Sequence, residues 1–267
     1  MHPDRRRSRR ARHRPRPPRA DPGRPGRSRY QAKYLYTIPS VQNPSGGVAP
    51  LERRHRLLEL AKRHELPIFE DDCYADLTWS GERPTTLRGL DDGGRVIYCG
   101  TFSKTIAPAL RVGYIVADWP VMSRLLSVKY DGGSGALEQM VLAQYAGAVY
   151  DEHVTELAAT LEKKCDAMLA AVRRHFGPVA QVSRPQGGIF IWITLPESVD
   201  TAALAQAALR EGIAINPGAD WSTNPEDGRH KFRLCFGGAT IAEIEAGVQK
   251  LAEVYRREYP SQDALAA

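Results

Sequence analysis

The stretch CGTFSKTIAPALRVGY, residues 99–114, decides how this chain is interpreted. It places Ser103 and Lys104 where the strand predicted for residues 95–103 ends, and it places Arg111 seven residues beyond the lysine. Partial burial of an amine at a strand end favours Schiff-base chemistry. An arginine close behind it, together with hydroxyl groups, is suited to binding a phosphate group. The stretch therefore predicts a site that uses a lysine to hold a phosphorylated ligand.

Short apolar runs on both sides of this stretch predict the first structural layer. Nearly continuous runs of this kind are typical of buried parallel strands, and here they alternate with a helix and with loops. The strands are predicted at residues 34–38, 66–72, 95–103 and 111–118, and the helix at residues 51–65. The pattern predicts an α/β fold with a parallel sheet, and we assign this domain to residues 30–155.

The second half of the chain has a different pattern. Apolar residues recur at helical spacing in its first part, and strands and helices then alternate. Helices are predicted at residues 137–149, 153–176, 200–211 and 240–257, and strands at residues 188–195, 213–216 and 231–236. This half predicts a smaller C-terminal α+β domain, which we assign to residues 156–267.

The basic character of the chain belongs to its first 29 residues. They contain twelve Arg and two Asp and carry +10, so that a net charge of +6 leaves −4 for the rest. With six prolines and almost nothing to bury, residues 1–29 are predicted to be a disordered tail. A nucleic-acid-binding arm is one interpretation. We favour a tail without function, or translation of a shifted reading frame, and expect no nucleic-acid partner.

Composition excludes several other classes. No apolar run approaches the length of a membrane helix, and no apolar segment follows the N-terminal arginines as it would in a secretory signal. The four cysteines are scattered and the histidines show no ligand spacing, which argues against a disulfide framework or a metal site. We therefore expect a cytoplasmic protein without a membrane or metal partner.

Polar side chains gather where the predicted strands end. Asn43 follows the first strand, the second ends in Asp71 and Asp72 with Tyr74 close behind, and Thr101 stands at the end of the third beside Ser103 and Lys104. Ligands of open α/β sheets bind at the carboxyl ends of the strands. Each motif alone has a structural explanation as a turn or a helix cap. Together, an amine, a carboxylate for a pyridine nitrogen and a phosphate clamp are what pyridoxal 5′-phosphate (PLP) requires.

These motifs resemble a known family. NPSGG at 43–47, DDCY at 71–74 and SKTIAPALRVG at 103–113 are similar to the class I/II aminotransferases, which are fold-type I PLP enzymes. The most similar branch contains 2-aminoadipate, kynurenine and aromatic aminotransferases. The resemblance covers residues 30–258 and implies a homodimer of amino-acid metabolism. Such a transferase moves an amino group between an amino acid and a 2-oxo acid.

The resemblance also implies a role for each matching residue. Lys104 would form the Schiff base with PLP and move the substrate proton, and Asp71 would pair with the pyridine nitrogen. Tyr74 and Asn43 would contact the ring oxygen, with Asn43 also near the substrate. The phosphate would be held by Thr101, Ser103 and Arg111. The substrate carboxylate would be bound by Arg233, and backbone would pack close to the substrate at Gly187 and Gly188.

The chain departs from the family at its N-terminal side. The family sequence should begin more than a hundred residues earlier, with the first strands of the large sheet, a glycine-rich phosphate loop and a stacking aromatic. We therefore expect an N-terminally truncated gene product with a partial large domain. The strand at residues 34–38 would then expose an edge that is normally paired.

Three other functions stay open at this stage. A carbon–sulfur β-lyase uses the same cofactor and fold, because the cofactor supplies the chemistry and the pocket selects the bond. An inactive truncated remnant would have the fold without a working site. The effector domain of an aminotransferase-like transcription regulator is the third, although no helix-turn-helix pattern is visible in the sequence.

Overall fold

The computed structural model describes residues 32–260, and within them the chain forms two four-stranded sheets. The disordered tail predicted for residues 1–29 lies outside the described residues. No helix in residues 32–260 is long and apolar enough to span a bilayer. The proposed domain boundary at residue 155 falls inside a long helix, and it stays a prediction.

The first sheet follows the predicted strands closely. Its strands are β1 (Leu35–Thr37), β2 (Ile68–Asp71), β3 (Val96–Thr101) and β4 (Gly113–Val116), in that spatial order. The strands β1, β2 and β3 are parallel, as predicted, whereas β4 is antiparallel to β3. A parallel β4 would require a crossover connection, usually a helix. Residues 102–112 instead form a loop that contains a short 3₁₀ helix, Pro108–Leu110, so the prediction of a parallel sheet is wrong for β4.

The two faces of this sheet have different surroundings. Ile68 and Val96 are fully buried in a small core with Ala61 and Leu87, which belong to the helices α1 (Leu51–Arg63) and α2 (Leu87–Leu90). The opposite face carries side chains that the described residues leave half-buried or exposed. We call it the open face; it consists of Tyr36, Phe69, Asp71, Ile97, Cys99 and Ile115. Within residues 32–260, each of the edge strands β1 and β4 pairs on one side only.

Two helices connect the sheets. The helix α3 (Trp119–Val128) was not predicted from the sequence, and α4 (Ala136–Phe176) is one helix of 41 residues where two were predicted. Residues 150–152 contain neither Gly nor Pro, so nothing in that sequence ends the helix. The C-terminal half of α4 is buried in the main core, whereas its N-terminal half exposes several large apolar side chains, among them Leu137 and Met140.

The second sheet is antiparallel and has the order β5 (Gln181–Val182), β6 (Phe190–Thr194), β8 (Lys231–Cys235), β7 (Asn216–Pro217). This part of the chain also contains three helices, α5 (Thr201–Arg210), α6 (Pro225–Gly228) and α7 (Ile241–Glu258). The helix α7 begins with a capping box in which Thr240 and Glu243 bind each other's backbone N–H groups. Its apolar face packs against α4, and this contact forms the larger core.

A close backbone contact joins the two sheets. The Gly188 N–H donates to the Leu77 carbonyl at 2.9 Å, and the Trp79 N–H donates to the Gln186 carbonyl at 3.0 Å. Gly187 bridges to Thr78, and a Cβ at Gly187 would lie 2.3 Å from the Leu77 carbonyl oxygen. Only glycine fits here, because the opposing atoms belong to backbone. The contact fixes the segment that follows β2 against the loop that precedes β6.

Candidate active site

Lys104 lies in the turn directly after β3. This turn is closed by the Ile106 N–H, which donates to the Phe102 carbonyl at 2.9 Å, and by the Phe102 N–H, which donates to the Val112 carbonyl at 3.2 Å. The lysine is half-buried, and its ammonium makes no hydrogen bond or salt bridge with residues 32–260. Burial raises the pKa of the nearby Cys73 thiol to about 12, and the positive charge of Lys104 opposes that increase. The amine is therefore available to a ligand.

The predicted phosphate-binding residues lie on both sides of this turn. The Thr101 hydroxyl is 3.0 Å from the Ser103 hydroxyl and accepts the Ser103 N–H at 3.1 Å. Arg111 adopts a left-handed conformation with φ of 52° and is exposed. Its guanidinium donates to the Pro108 carbonyl at 3.3 Å. The structure thus joins Thr101 to Ser103, whereas the Arg111 guanidinium contacts neither of them.

The two aspartates at the end of β2, Asp71 and Asp72, face opposite sides of the sheet. Asp72 is 4% exposed, and its Oδ2 accepts from Arg83 and from the Tyr98 hydroxyl, both at 3.0 Å. Asp71 lies on the open face, where its Oδ2 accepts the Tyr36 hydroxyl at 2.5 Å. Alternation along the strand produces this division. The geometry favours Asp71 as the residue that meets a ligand, because Asp72 is paired on the covered side.

Tyr74 connects the first sheet to the second. Its side chain is buried and meets Phe190 edge to face, with ring centroids 5.8 Å apart. Burial raises the pKa of the Tyr74 hydroxyl, and the charge of Arg233 opposes that increase. The hydroxyl therefore stays protonated at neutral pH, where it can donate to an anionic oxygen.

Arg233, on β8, has a side chain that is bound on several sides. Its guanidinium carbon lies 3.8 Å from the centre of the Phe190 ring and 4.5 Å from that of the Trp221 ring. It donates to Asn43 Oδ1 at 2.8 Å and to Asn216 Oδ1 at 3.0 Å. Its Nε is buried and has no partner in residues 32–260, and burial lowers the pKa of the group. All these partners are neutral, so the cation is suited to a carboxylate ligand.

The sequence missed residues that support these side chains. Their roles depend on contacts between distant parts of the chain, so local patterns do not reveal them. One signal was available, because Asn216 precedes a proline after a short strand just as Asn43 does. The missed residues are Tyr36, Phe190, Asn216 and Trp221.

The donor set fits PLP chemically. Among the described residues, Lys104 offers an amine without a hydrogen-bond or salt-bridge partner, and Asp71, at the end of the adjacent strand, has one oxygen without a strong donor. Hydroxyls and a guanidinium surround the lysine turn, and Arg233 carries a charge that no described carboxylate neutralises. These are the groups needed for an aldehyde, a pyridine nitrogen, a phosphate and a substrate carboxylate.

Comparison with known proteins identifies the family. Residues 28–251 match the family described as aminotransferase class I and II. The chain belongs to this family. The resemblance predicted from the three motifs is confirmed, and so is the α/β fold of the family.

Individual relatives include enzymes and regulators. An aromatic-amino-acid aminotransferase from Thermococcus litoralis is 35% identical over 231 residues, which are 85% of this chain and 55% of that protein. An uncharacterised HTH-type transcriptional regulator from Bacillus subtilis is 35% identical over 234 residues, 86% of this chain and 48% of the regulator. The solved kynurenine aminotransferase from Pyrococcus horikoshii has a TM-score of 0.78 at 34% identity, covering 85% of this chain and 56% of that one. The chain thus spans about half the length of the curated relatives it matches.

Proposed function

We propose that this chain is a PLP-dependent aminotransferase that moves an amino group between an amino acid and a 2-oxo acid. The observation that carries this proposal is the Lys104 amine, which has no hydrogen bond or salt bridge in residues 32–260 and follows β3, the strand that pairs with the strand of Asp71. Bound PLP would supply an electron sink for carbanion chemistry at the substrate α-carbon.

The residues of the site would divide the work by their chemistry. Lys104 would hold the cofactor covalently and would move the proton at the substrate α-carbon. Asp71 would keep the ring nitrogen protonated. Thr101, Ser103 and Arg111 would bind the phosphate, the arginine acting from the rim because it is exposed.

The contact between Asn43 and Arg233 assigns two further roles. Asn43 Oδ1 accepts from the guanidinium at 2.8 Å, which leaves its amide N–H groups to donate to the ring oxygen of the cofactor. The Tyr74 hydroxyl, protonated at neutral pH, would be the second donor to that oxygen. Arg233 would bind the substrate carboxylate, since its aromatic and amide neighbours orient it without neutralising it.

The first experiment is direct detection of cofactor attachment. The chain is incubated with PLP, its visible absorbance is recorded, the adduct is reduced with borohydride, and the modified residue is located by mass spectrometry. We expect modification of Lys104 and its loss in Lys104→Ala. The matched control is Lys163→Ala, which removes an exposed lysine on α4 and should change nothing. Adducts spread over surface lysines would overturn the proposal.

A second experiment identifies the reaction. The PLP-loaded chain is mixed with single amino acids and the products are analysed. Conversion of the cofactor to pyridoxamine phosphate supports transamination. Release of pyruvate with ammonia would instead identify a carbon–sulfur lyase, and the absence of any product would identify an inactive remnant.

A second candidate function is favoured by one comparison. The 35% identity to a transcriptional regulator extends over 86% of this chain. If the chain is the effector domain of such a regulator, the site would bind PLP and an amino-acid effector without turnover. The PLP-loaded chain would then change its absorbance on addition of an amino acid and return to the original spectrum when the amino acid is removed by dialysis.

Assembly and location belong to the same proposal. A cytoplasmic homodimer agrees with four free cysteines and with exposed apolar residues on α3 and on the N-terminal half of α4. Light scattering of the purified chain would test the homodimer, and a monomer at micromolar concentration would contradict it. Fractionation of cells that express the chain would test the location.

A further inference from the structure

Tyr36 makes the strongest contact to the Asp71 carboxylate in the described part of the chain. Its hydroxyl, on β1, donates to Asp71 Oδ2 on β2 at 2.5 Å. Its ring stacks on Phe69 with centroids 6.0 Å apart and an interplanar angle of 24°. Burial, and then the charge of Asp71, raise the pKa of Tyr36, so the hydroxyl remains a donor at neutral pH. Strand, ring and hydroxyl thus fix one oxygen of Asp71.

Fixing one oxygen determines the direction of the other. The terminal torsion of an aspartate is broad, so a carboxylate that lacks a partner samples many orientations. The other neighbour that bonds the Asp71 carboxylate is the thiol of Cys73, a weak donor. The hydrogen bond from Tyr36 occupies Oδ2 and leaves Oδ1 for a ligand. Without Tyr36, no strong donor in residues 32–260 would hold this carboxylate in place.

Tyr36 also lines a cavity that is large enough for a ligand. This cavity has a volume of about 490 Å³ and lies on the open face. The rest of its lining is formed by Lys33, Tyr34, Pro67, Phe69 and Ile97. The cavity wall is largely apolar, and the Tyr36 hydroxyl links it by a hydrogen bond to Asp71 on the same face. Tyr36 thus hydrogen-bonds the carboxylate that the proposed function assigns to the pyridine nitrogen.

We propose that Tyr36 is a positioning residue that orients Asp71 toward the ring nitrogen of PLP. The proposal rests on the proposed function of the site. It assigns a role to a side chain in the first predicted strand, outside the motifs that indicated the family. Tyr36 would act through Asp71 and touch no reacting atom.

The test compares two matched variants with two cofactors. Tyr36→Phe removes the hydroxyl and keeps the ring that stacks on Phe69. Tyr130→Phe makes the same change outside the cavity, on an exposed tyrosine whose hydroxyl has no hydrogen bond in residues 32–260. Dissociation constants are measured by absorbance for PLP and for an analogue in which a carbon replaces the ring nitrogen. The analogue removes the atom that Asp71 would meet.

We expect Tyr36→Phe to weaken PLP binding about tenfold, a discounted value for a charge-assisted bond at a half-exposed site. Binding of the nitrogen-free analogue should be unchanged, and Tyr130→Phe should match the original chain with both cofactors. Equal weakening with both cofactors would indicate a general structural effect and overturn the inference. Unchanged PLP binding would also overturn it. If the original chain bound no PLP, the proposed function would fail together with this inference. That result can be told apart from failure of the inference alone, because the original chain and both variants would then all fail to bind PLP.

Discussion

Gly187 should tolerate an added methyl group poorly. A Cβ there would lie 2.3 Å from the Leu77 carbonyl oxygen, 2.9 Å from Val41 Cγ2 and 3.0 Å from Thr78 Cα. Two of these atoms belong to backbone, so a side-chain rotation cannot relieve the contact. The two strands of chain would have to separate by about 1 Å to reach ordinary van der Waals distance.

The cost follows from the contacts that such a separation would disturb. Overpacking a tight contact costs about 1–3 kcal/mol. The hydrogen bond from the Gly188 N–H to the Leu77 carbonyl, 2.9 Å long, would stretch, and losing it costs about 1 kcal/mol more. We therefore expect Gly187→Ala to lower the free energy of unfolding by about 2–4 kcal/mol. Urea unfolding at 25 °C followed by circular dichroism would measure it.

Gly238→Ala is the matched control, since a Cβ at Gly238 would meet nothing within 4 Å. We expect its free energy of unfolding to stay within about 0.5 kcal/mol of the original chain. A Gly187→Ala variant as stable as this control would refute the reasoning. The two sheets would then be separable without cost, and Tyr74 would not be held against Phe190 by this contact.

Three further predictions concern single side chains. Arg83→Met should lower the free energy of unfolding by about 1–3 kcal/mol in urea titrations, because it leaves the buried Asp72 carboxylate without its cation. The 40% exposure of the Arg83 side chain moderates the loss. A change below about 0.5 kcal/mol would contradict this. Trp221→Leu should weaken binding of succinate to the PLP-loaded chain about three- to tenfold in calorimetry, because one aromatic face of Arg233 is lost; unchanged affinity would exclude the stacking role. The free energy of unfolding should fall as pH rises above 9, because burial raises the pKa of Cys73 from 9.0 to about 12 and the unfolded chain therefore loses the thiol proton at lower pH than the folded chain. Cys73→Ser should show a shallower decline. A pH profile identical to that of the original chain would refute this prediction.

The strands and the motif positions could be predicted from the sequence because both are local properties. Apolar runs marked β1, β2 and β3 to within a few residues, and polar residues at their ends marked the site. The direction of β4 could not be predicted from its apolar run, because the run is the same for either direction. The geometry of the connection decides it, and residues 102–112 turn back without a crossover helix.

The contacts within the site could not be predicted for a similar reason. Asn43 and Arg233 are 190 positions apart, and Tyr36 and Asp71 are 35 apart. Hydrogen bonds between such residues depend on strand order and register, which the local pattern does not contain. The family resemblance supplied residue types and roles, but it did not reveal which neighbours orient them.

The open face links packing to chemistry. An ion pair between Asp71 and a protonated ring nitrogen 4 Å away is worth about 1 kcal/mol in water and about 4 kcal/mol at the effective dielectric near a protein surface. Phe69 and Ile97 lie on the same face and place apolar side chains on one side of Asp71. Any group that covers this face would exclude water from Asp71. The apolar surface beside Asp71 therefore sets the strength of the proposed cofactor contact, and polar substitutions at Phe69 or Ile97 should weaken it even though neither side chain would touch the ring nitrogen.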